Sequence, residues 1–322
     1  MNTATFLTPV HEGIQLVEER MRAQANIDSH LDLRLALDQL LSAGGKRVRP
    51  TVVLLAGGML GVDPDRLVTL GAAVEMLHTA TLVHDDLIDG ALLRRGMPTL
   101  NSKWSPAATV LTGDFLFARA AQLASDIDNI PLMKKFAETL AIIVNGELTQ
   151  LFAAHGVISR ENYYERIYAK TASLFEMSAL SAAMLSAEDE FTQDTLRTYG
   201  YEIGMAFQIV DDVLDFSGDQ DVVGKPLGSD LLQGLVTLPA IFYAEEYSSD
   251  PDVQTLRQGN WQDQASMLRL VDSIRSSNAI QLALDEAAVH VERALEALSP
   301  FPISVEREAL IDLARYILDR SA

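Results

Sequence analysis

The chain contains no cysteine in 322 residues. Disulfides, zinc–thiolate centres, iron–sulfur clusters and thiol nucleophiles are thereby excluded. Positive charge is scarce: 25 Lys and Arg stand against 45 Asp and Glu, a formal net charge of −20. Nucleic-acid binders displace phosphate counterions with a basic face, so this balance argues against one. It leaves room for a local basic pocket around a phosphorylated small molecule. Long apolar runs are missing too. The longest, such as Val52–Gly61, reach about ten residues and contain glycine, against the ~20 that a spanning helix needs. Met1–Glu19 shows no basic segment followed by an apolar core, so no secretory signal is evident. The expectation is a soluble, cytoplasmic protein with no stable membrane insertion.

Strand signals are also few, and what is present is helical. Apolar residues recur at three- and four-residue spacing in most segments. Leu67–Leu87 is apolar or small on nearly every side, the mark of a helix buried inside a larger bundle. Ala107–Ser125, Met133–Phe152, Lys170–Ala187 and Thr195–Phe216 read similarly, separated by turn residues such as Asp63-Pro64, Ser105-Pro106 and Gly224-Lys225-Pro226. No linker or low-complexity tract divides the chain. The pattern predicts one all-α domain over residues 1–322, a large helical bundle of roughly a dozen helices. The more polar residues 245–300 would form its outer helices.

Two carboxylate clusters carry the chemistry. Asp85-Asp86-Leu87-Ile88-Asp89 and Asp211-Asp212-Val213-Leu214-Asp215 each follow an apolar helical stretch. Residues four apart share a helix face, about 6 Å apart along the axis, so Asp85 pairs with Asp89 and Asp211 with Asp215. One such cluster reads equally well as a solvated acidic helix end. Two copies, each ending an apolar helix, point to Mg²⁺, a hard cation usually held by one or two carboxylates together with substrate phosphates. The few basic residues gather nearby: Gly44-Gly45-Lys46-Arg47-Val48-Arg49-Pro50, Arg94-Arg95-Gly96 and Gly224-Lys225-Pro226. Arg offers a planar fork to phosphate oxygens and Lys a point charge. Together they suit two anionic substrates, one held through metal and one held directly.

The order GGKRVRP, HTATLVHDDLIDGALLRRG, KTASLF, FQIVDDVLDFSGD and GKPLGSDLLQGLVTLP resembles the trans-isoprenyl (polyprenyl) diphosphate synthase family over about residues 40–245. The resemblance implies an isoprenoid synthase-like fold, with both aspartate motifs facing a deep central cavity. It implies a prenyltransferase that condenses isopentenyl diphosphate head to tail with an allylic diphosphate, with three Mg²⁺ ions when substrate is bound. Asp85, Asp89 and Asp211 would be metal ligands, supported by Asp86, Asp212 and Asp215. Lys46, Arg49, His78 and Arg95 would bind isopentenyl diphosphate. Arg94, Lys170, Thr171, Gln208 and Lys225 would contact the allylic diphosphate, with Lys170 and Lys225 also counted among the catalytic groups. A homodimer is implied as well. Many members carry a further lysine where this chain has Gln233-Gly234-Leu235.

In members that stop at farnesyl or geranylgeranyl diphosphate, an aromatic residue often plugs the tunnel four or five positions before the first aspartate. Thr81 and Ala80 stand there, with Met76 and Leu77 a turn further back. The expectation is a long-chain product. A short-chain synthase making geranylgeranyl or farnesyl diphosphate is the second reading. A non-catalytic partner subunit of a heteromeric synthase is the third, disfavoured because both aspartate motifs are complete.

Overall fold

The segment that is apolar on every side becomes the most deeply placed helix. Asp63 caps it by accepting from the Asp65 amide, and Pro64 takes the first helical position, where a missing N–H costs nothing. The helix, α4 (Pro64–Ile88), has every residue from Leu67 to Leu77 buried. The structure, a computed structural model, describes residues 5–24, 31–42, 45–94, 96–152, 156–186, 189–217 and 227–320. They are almost entirely helical, as the sequence pattern predicts.

The chain divides into two compact units, each assembled from separated stretches: Met1–Thr139, Leu174–Gly200 and Leu298–Asp312 in one, Leu140–Ser173, Tyr201–Ala297 and Leu313–Ala322 in the other. The first contains α1 (His11–Gln24), α2 (Leu31–Ser42), α3 (Val48–Met59), α4 and α5 (Pro106–Asp126). It also takes the first part of α6 (Ile130–Phe152), nearly all of α8 (Ser173–Met184), and the beginnings of α9 (Glu190–Ser217) and α15 (Val305–Asp319). Helices α1, α3 and α5 pack around α4, and Val52, Leu55, Leu70, Leu77 and Leu116 are fully buried among them.

The second unit holds the remaining parts of α6, α9 and α15, with α7 (Arg160–Ile167), a π-helical turn (Tyr168–Ala172), and α10 (Ser229–Leu232) to α14 (Ala279–Ala297). Between these last two run α11 (Leu238–Glu246), α12 (Pro251–Arg257) and α13 (Gln264–Ser276). A buried His290–Glu202 pair, 2.5 Å apart, ties α14 to α9.

Three details depart from the sequence pattern. Leu93–Arg94 (β1) pairs antiparallel with Met97–Pro98 (β2), a hairpin too short to leave an alternating signature. Lys170 and Thr171 lie in the π-helical turn before α8, where an extra residue per turn changes the direction of the side chains. And α4 is long and apolar enough to cross a membrane, although 78% of its most apolar window is buried within the protein. Interspersed Thr, Gly and His interrupt the apolar run but leave its average hydropathy within the range of a spanning helix.

Helices α8 and α9 meet at Gly200, where a β-carbon would lie 2.6 Å from the Phe175 carbonyl oxygen and 2.8 Å from Glu176 Cα. Backbone cannot yield as a flexible side chain can. Gly200→Ala is expected to cost about 1–3 kcal/mol, the usual range for overpacking, read as a lower urea midpoint at unchanged slope. A midpoint equal to wild type would show that these helices separate freely.

Candidate active site

The first aspartate motif sits on the last turn of α4. Asp89 is the C-cap, Gly90 follows at φ 62°, and the Ala91 amide returns to the Asp86 carbonyl at 2.9 Å. Glycine suits this left-handed position because it has no β-carbon. Asp85 and Asp89 are solvent-accessible, whereas Asp86 is buried. Asp86 Oδ1 accepts from Arg94 Nε at 2.7 Å, across from the hairpin. The last turn contains no basic residue. Carboxylates therefore crowd the negative end of the helix dipole, an unfavourable place that an external cation would relieve.

The basic loop before α3 is anchored by a residue that stands between the predicted ligands. Arg47 adopts a left-handed backbone, φ 46° and ψ 36°. Its Nη1 donates to Glu75 Oε1 at 2.9 Å and its Nε to Glu18 Oε1 at 3.0 Å. Burial pulls this guanidinium down, but the charges and hydrogen bonds of Glu75 and Glu18 outweigh it and hold it above its ordinary value. Lys46 is exposed, and Arg49 lies over the Phe175 ring at 4.7 Å. A cavity of about 100 Å³ opens on one side of α4, lined among others by His78, Leu82, Asp86, Arg94, Leu100 and Lys103. His78, Asp86 and Arg94, all singled out by sequence, thus share one cavity. Ala80, Thr81, Met76 and Leu77 do not line it. Met76, Leu77 and Ala80 are buried in the core, and Thr81 alone is partly accessible, its Oγ1 donating to the His78 carbonyl at 2.7 Å.

The second motif, near the end of α9, follows the same division. Asp211 and Asp215 are partly accessible and Asp212 is buried. Asp212 Oδ1 accepts from Gln208 Nε2 at 2.8 Å and its Oδ2 from Tyr163 Oη at 2.8 Å. Thr171 Oγ1 donates to Gln208 Oε1 at 2.6 Å, so a continuous chain joins the π-helical turn to the motif. Burial, then the charge of Asp230, pushes the Asp212 carboxyl up to about 7, against the hydrogen bonds from Gln208 and Tyr163. Burial and the Asp212 charge also raise the Tyr163 phenol well above its usual range, keeping it a donor. Asp215 accepts from Ser229 Oγ at 2.7 Å and from the Asp230 amide at 3.2 Å, fixing the start of α10. Lys170 pairs with Glu147 at 3.0 Å. Arg95 and Lys225 lie outside the described residues. Leu235, at the position of the absent lysine, is partly buried just after Gly234 at φ 81°.

These donors fit Mg²⁺ in a particular way. No group of three His, Asp or Glu converges among the described residues. Each motif instead offers accessible carboxylate oxygen at the end of a helix whose last turn has no basic residue. Hard oxygen donors in small number suit an ion that keeps several waters and completes its shell with phosphate oxygens. Arg47 and Tyr163 were not legible as site residues. Arg47 sits inside a motif whose neighbours looked more functional, and nothing in the local pattern marks Tyr163.

Comparison with known proteins agrees. Residues 31–273 match the polyprenyl synthetase family. The all-trans-nonaprenyl-diphosphate synthase (geranyl-diphosphate specific) of Rhodobacter capsulatus is 37% identical over 318 residues, covering 98% of this chain and 97% of its own. Heptaprenyl diphosphate synthase component 2 of Geobacillus stearothermophilus is 37% identical over 279 residues, 86% of this chain and 87% of its own. The crystal structure of a polyprenyl synthase from Caulobacter crescentus CB15, complexed with calcium and isoprenyl diphosphate, has a TM-score of 0.91 at 34% identity, covering 99% of this chain and 98% of that one. Fold and relatives define an all-α prenyltransferase with the isoprenoid synthase fold. The chain belongs to the polyprenyl synthetase family.

Because the folded Asp212 carboxyl binds its proton more tightly than an unfolded one, its contribution to stability is full below about pH 4. That contribution is lost as pH rises toward about 7. In EDTA, Asp212→Asn is expected to flatten the decline of the urea midpoint between those pH values. An unchanged pH profile would show that Asp212 is ionised throughout.

Proposed function

We propose that the chain condenses isopentenyl diphosphate with an allylic diphosphate, head to tail, giving a long-chain all-trans polyprenyl diphosphate. The observation that carries this reading is the pair of aspartate motifs, each presenting outer carboxylates at the C-terminal end of an apolar helix. Asp85, Asp89 and Asp211 would hold Mg²⁺, three ions in all with substrate present. The metal, when bound, supplies positive charge to the departing diphosphate. Asp86, Asp212 and Asp215 hold the motifs in place.

Lys46, Arg49, His78 and Arg95 bind isopentenyl diphosphate in this reading. Arg94, Lys170, Thr171, Gln208 and Lys225 orient the allylic diphosphate. Its C–O bond breaks, the double bond of isopentenyl diphosphate forms the new C–C bond, and a proton is lost to the released diphosphate. The apolar helices behind the aspartates exclude water, which would quench the allylic cation. Both units serve this one activity, residues 1–322 acting as a single synthase domain; the family match, residues 31–273, runs through stretches of each. A soluble, cytoplasmic homodimer completes the proposal.

Long-chain synthesis is supported by the small side chain of Thr81, the accessible member of the four predicted chain-length positions, and by the octaprenyl and nonaprenyl synthases among the relatives. The relative named as a component favours a second reading, a subunit that works only beside another chain.

The deciding assay incubates the purified chain with Mg²⁺, labelled isopentenyl diphosphate and geranyl, farnesyl or geranylgeranyl diphosphate. A ladder ending at a long product is expected; no elongation with any primer points to a missing second subunit. Asp85→Ala should lower turnover at least 100-fold on the scale of a lost electrostatic anchor with the helical signal unchanged, and near-normal turnover sinks the metal assignment. Thr81→Phe should end the ladder at shorter products, and an unaltered spectrum refutes the role given to that position.

A further inference from the structure

The carboxylate of Asp211 already has a cation against it. Arg320, immediately after the last residue of α15, donates from Nη2 to Asp211 Oδ1 at 2.5 Å. Its guanidinium lies over the Phe207 ring, 4.4 Å from the centroid. Phe207 and Asp211 are four residues apart on α9, so ring and carboxylate form one seat for a flat cation. Only 13% of the Arg320 side chain is exposed, against 35% for Asp211. The seat does not saturate the guanidinium: among the described residues, the buried Nη1 has no hydrogen-bond partner. Arg320 is therefore held by charge and stacking, with one buried donor lacking a partner among the described residues, an arrangement that carries a free-energy cost and is suited to release.

We propose that Arg320 is a built-in counter-ion for Asp211, displaced when a divalent cation loads the second motif. The inference rests on the reading of Asp211 as a metal ligand. A guanidinium bonded to Asp211 Oδ1 occupies one acceptor position and offsets the negative charge that would draw a divalent cation, so the two cations compete for this carboxylate. Cation for cation exchange follows. Arg320 offsets the charge of Asp211 at the acidic end of α9, and the strength of its ion pair sets the divalent concentration that the second motif requires. This is a positioning role, since Arg320 acts through Asp211.

The test is Mn²⁺ binding by the substrate-free full-length chain, followed by the electron paramagnetic resonance signal of the free ion. Asp85→Asn and Asp89→Asn are introduced first so that the second motif dominates the titration. On the scale of a partly exposed ion pair, Arg320→Gln should tighten Mn²⁺ binding about fivefold. Arg320→Lys, which retains the charge, should remain within about twofold of the parent by the same reasoning. Unchanged or weaker binding by Arg320→Gln, with a native circular dichroism spectrum, overturns the proposal, as does a Lys variant as tight as the Gln variant. Should Arg320→Gln not fold, Arg320→Met, which preserves an apolar chain over Phe207, takes its place with the same expected tightening. Adding Asp211→Asn separates the two ideas. If it weakens Mn²⁺ binding while Arg320→Gln has no effect, only the counter-ion role fails. If it changes nothing in either Arg320 form, Asp211 is not a metal ligand and both readings fall.

Discussion

Each aspartate motif depends on carboxylates placed where a helix tolerates them least. Both aspartate motifs occupy the last turns of long apolar helices, at the negative end of the dipole, with no lysine or arginine in the final turn. The final turns supply no compensation, so it comes from distant parts of the chain. Arg94 reaches Asp86 from a hairpin, and Arg320 reaches Asp211 from the far end of the sequence. Each exposed carboxylate at such a helix end costs about 0.3–1 kcal/mol, which nearby positive charge offsets.

Within each motif the three aspartates divide the work by helical geometry. The first and last share a face; the middle one is rotated by about 100° from the first. Asp86 and Asp212 consequently turn inward, are buried, and bond to Arg94 in one case and to Tyr163 and Gln208 in the other. The middle residue makes the motif rigid and leaves its neighbours to face solvent. In the second motif the rigidity extends further, since Gln208 also receives the hydroxyl of Thr171 from the π-helical turn. Lys170 precedes that threonine in the turn, and its side chain pairs with Glu147 instead.

Much of this was legible in the sequence because it is local. The spacing of apolar residues located α4, α5, α6 and α9 within a few positions, and Asp63-Pro64 marked where α4 begins. The aspartates could be assigned to helix ends because a DDxxD repeat has a fixed geometry once a helix is assumed. The pairings that hold them could not. Arg47 bonds to Glu18 and Glu75, 29 and 28 residues away, and Tyr163 bonds to Asp212 across 49 residues. Such contacts are set by how helices pack, and periodicity carries no record of them. The π-helical turn escaped for another reason: one additional residue in a turn leaves the apolar pattern nearly intact while redirecting Lys170 and Thr171.

The burial of α4 has a consequence for how the chain is made. A segment of 25 residues with the length and hydropathy of a membrane span leaves the ribosome after α1 and α3, which cover part of it, but before α5, which packs along another side. For the time it takes to synthesise the roughly forty residues to the end of α5, at about 5–20 residues per second, the nascent chain displays an apolar helix with an incomplete coat. The acidic residues closing that helix then act as gatekeepers, because three aspartates at its exit oppose both self-association and transfer into lipid. The charges that burden the finished helix thus help to keep the unfinished chain in water.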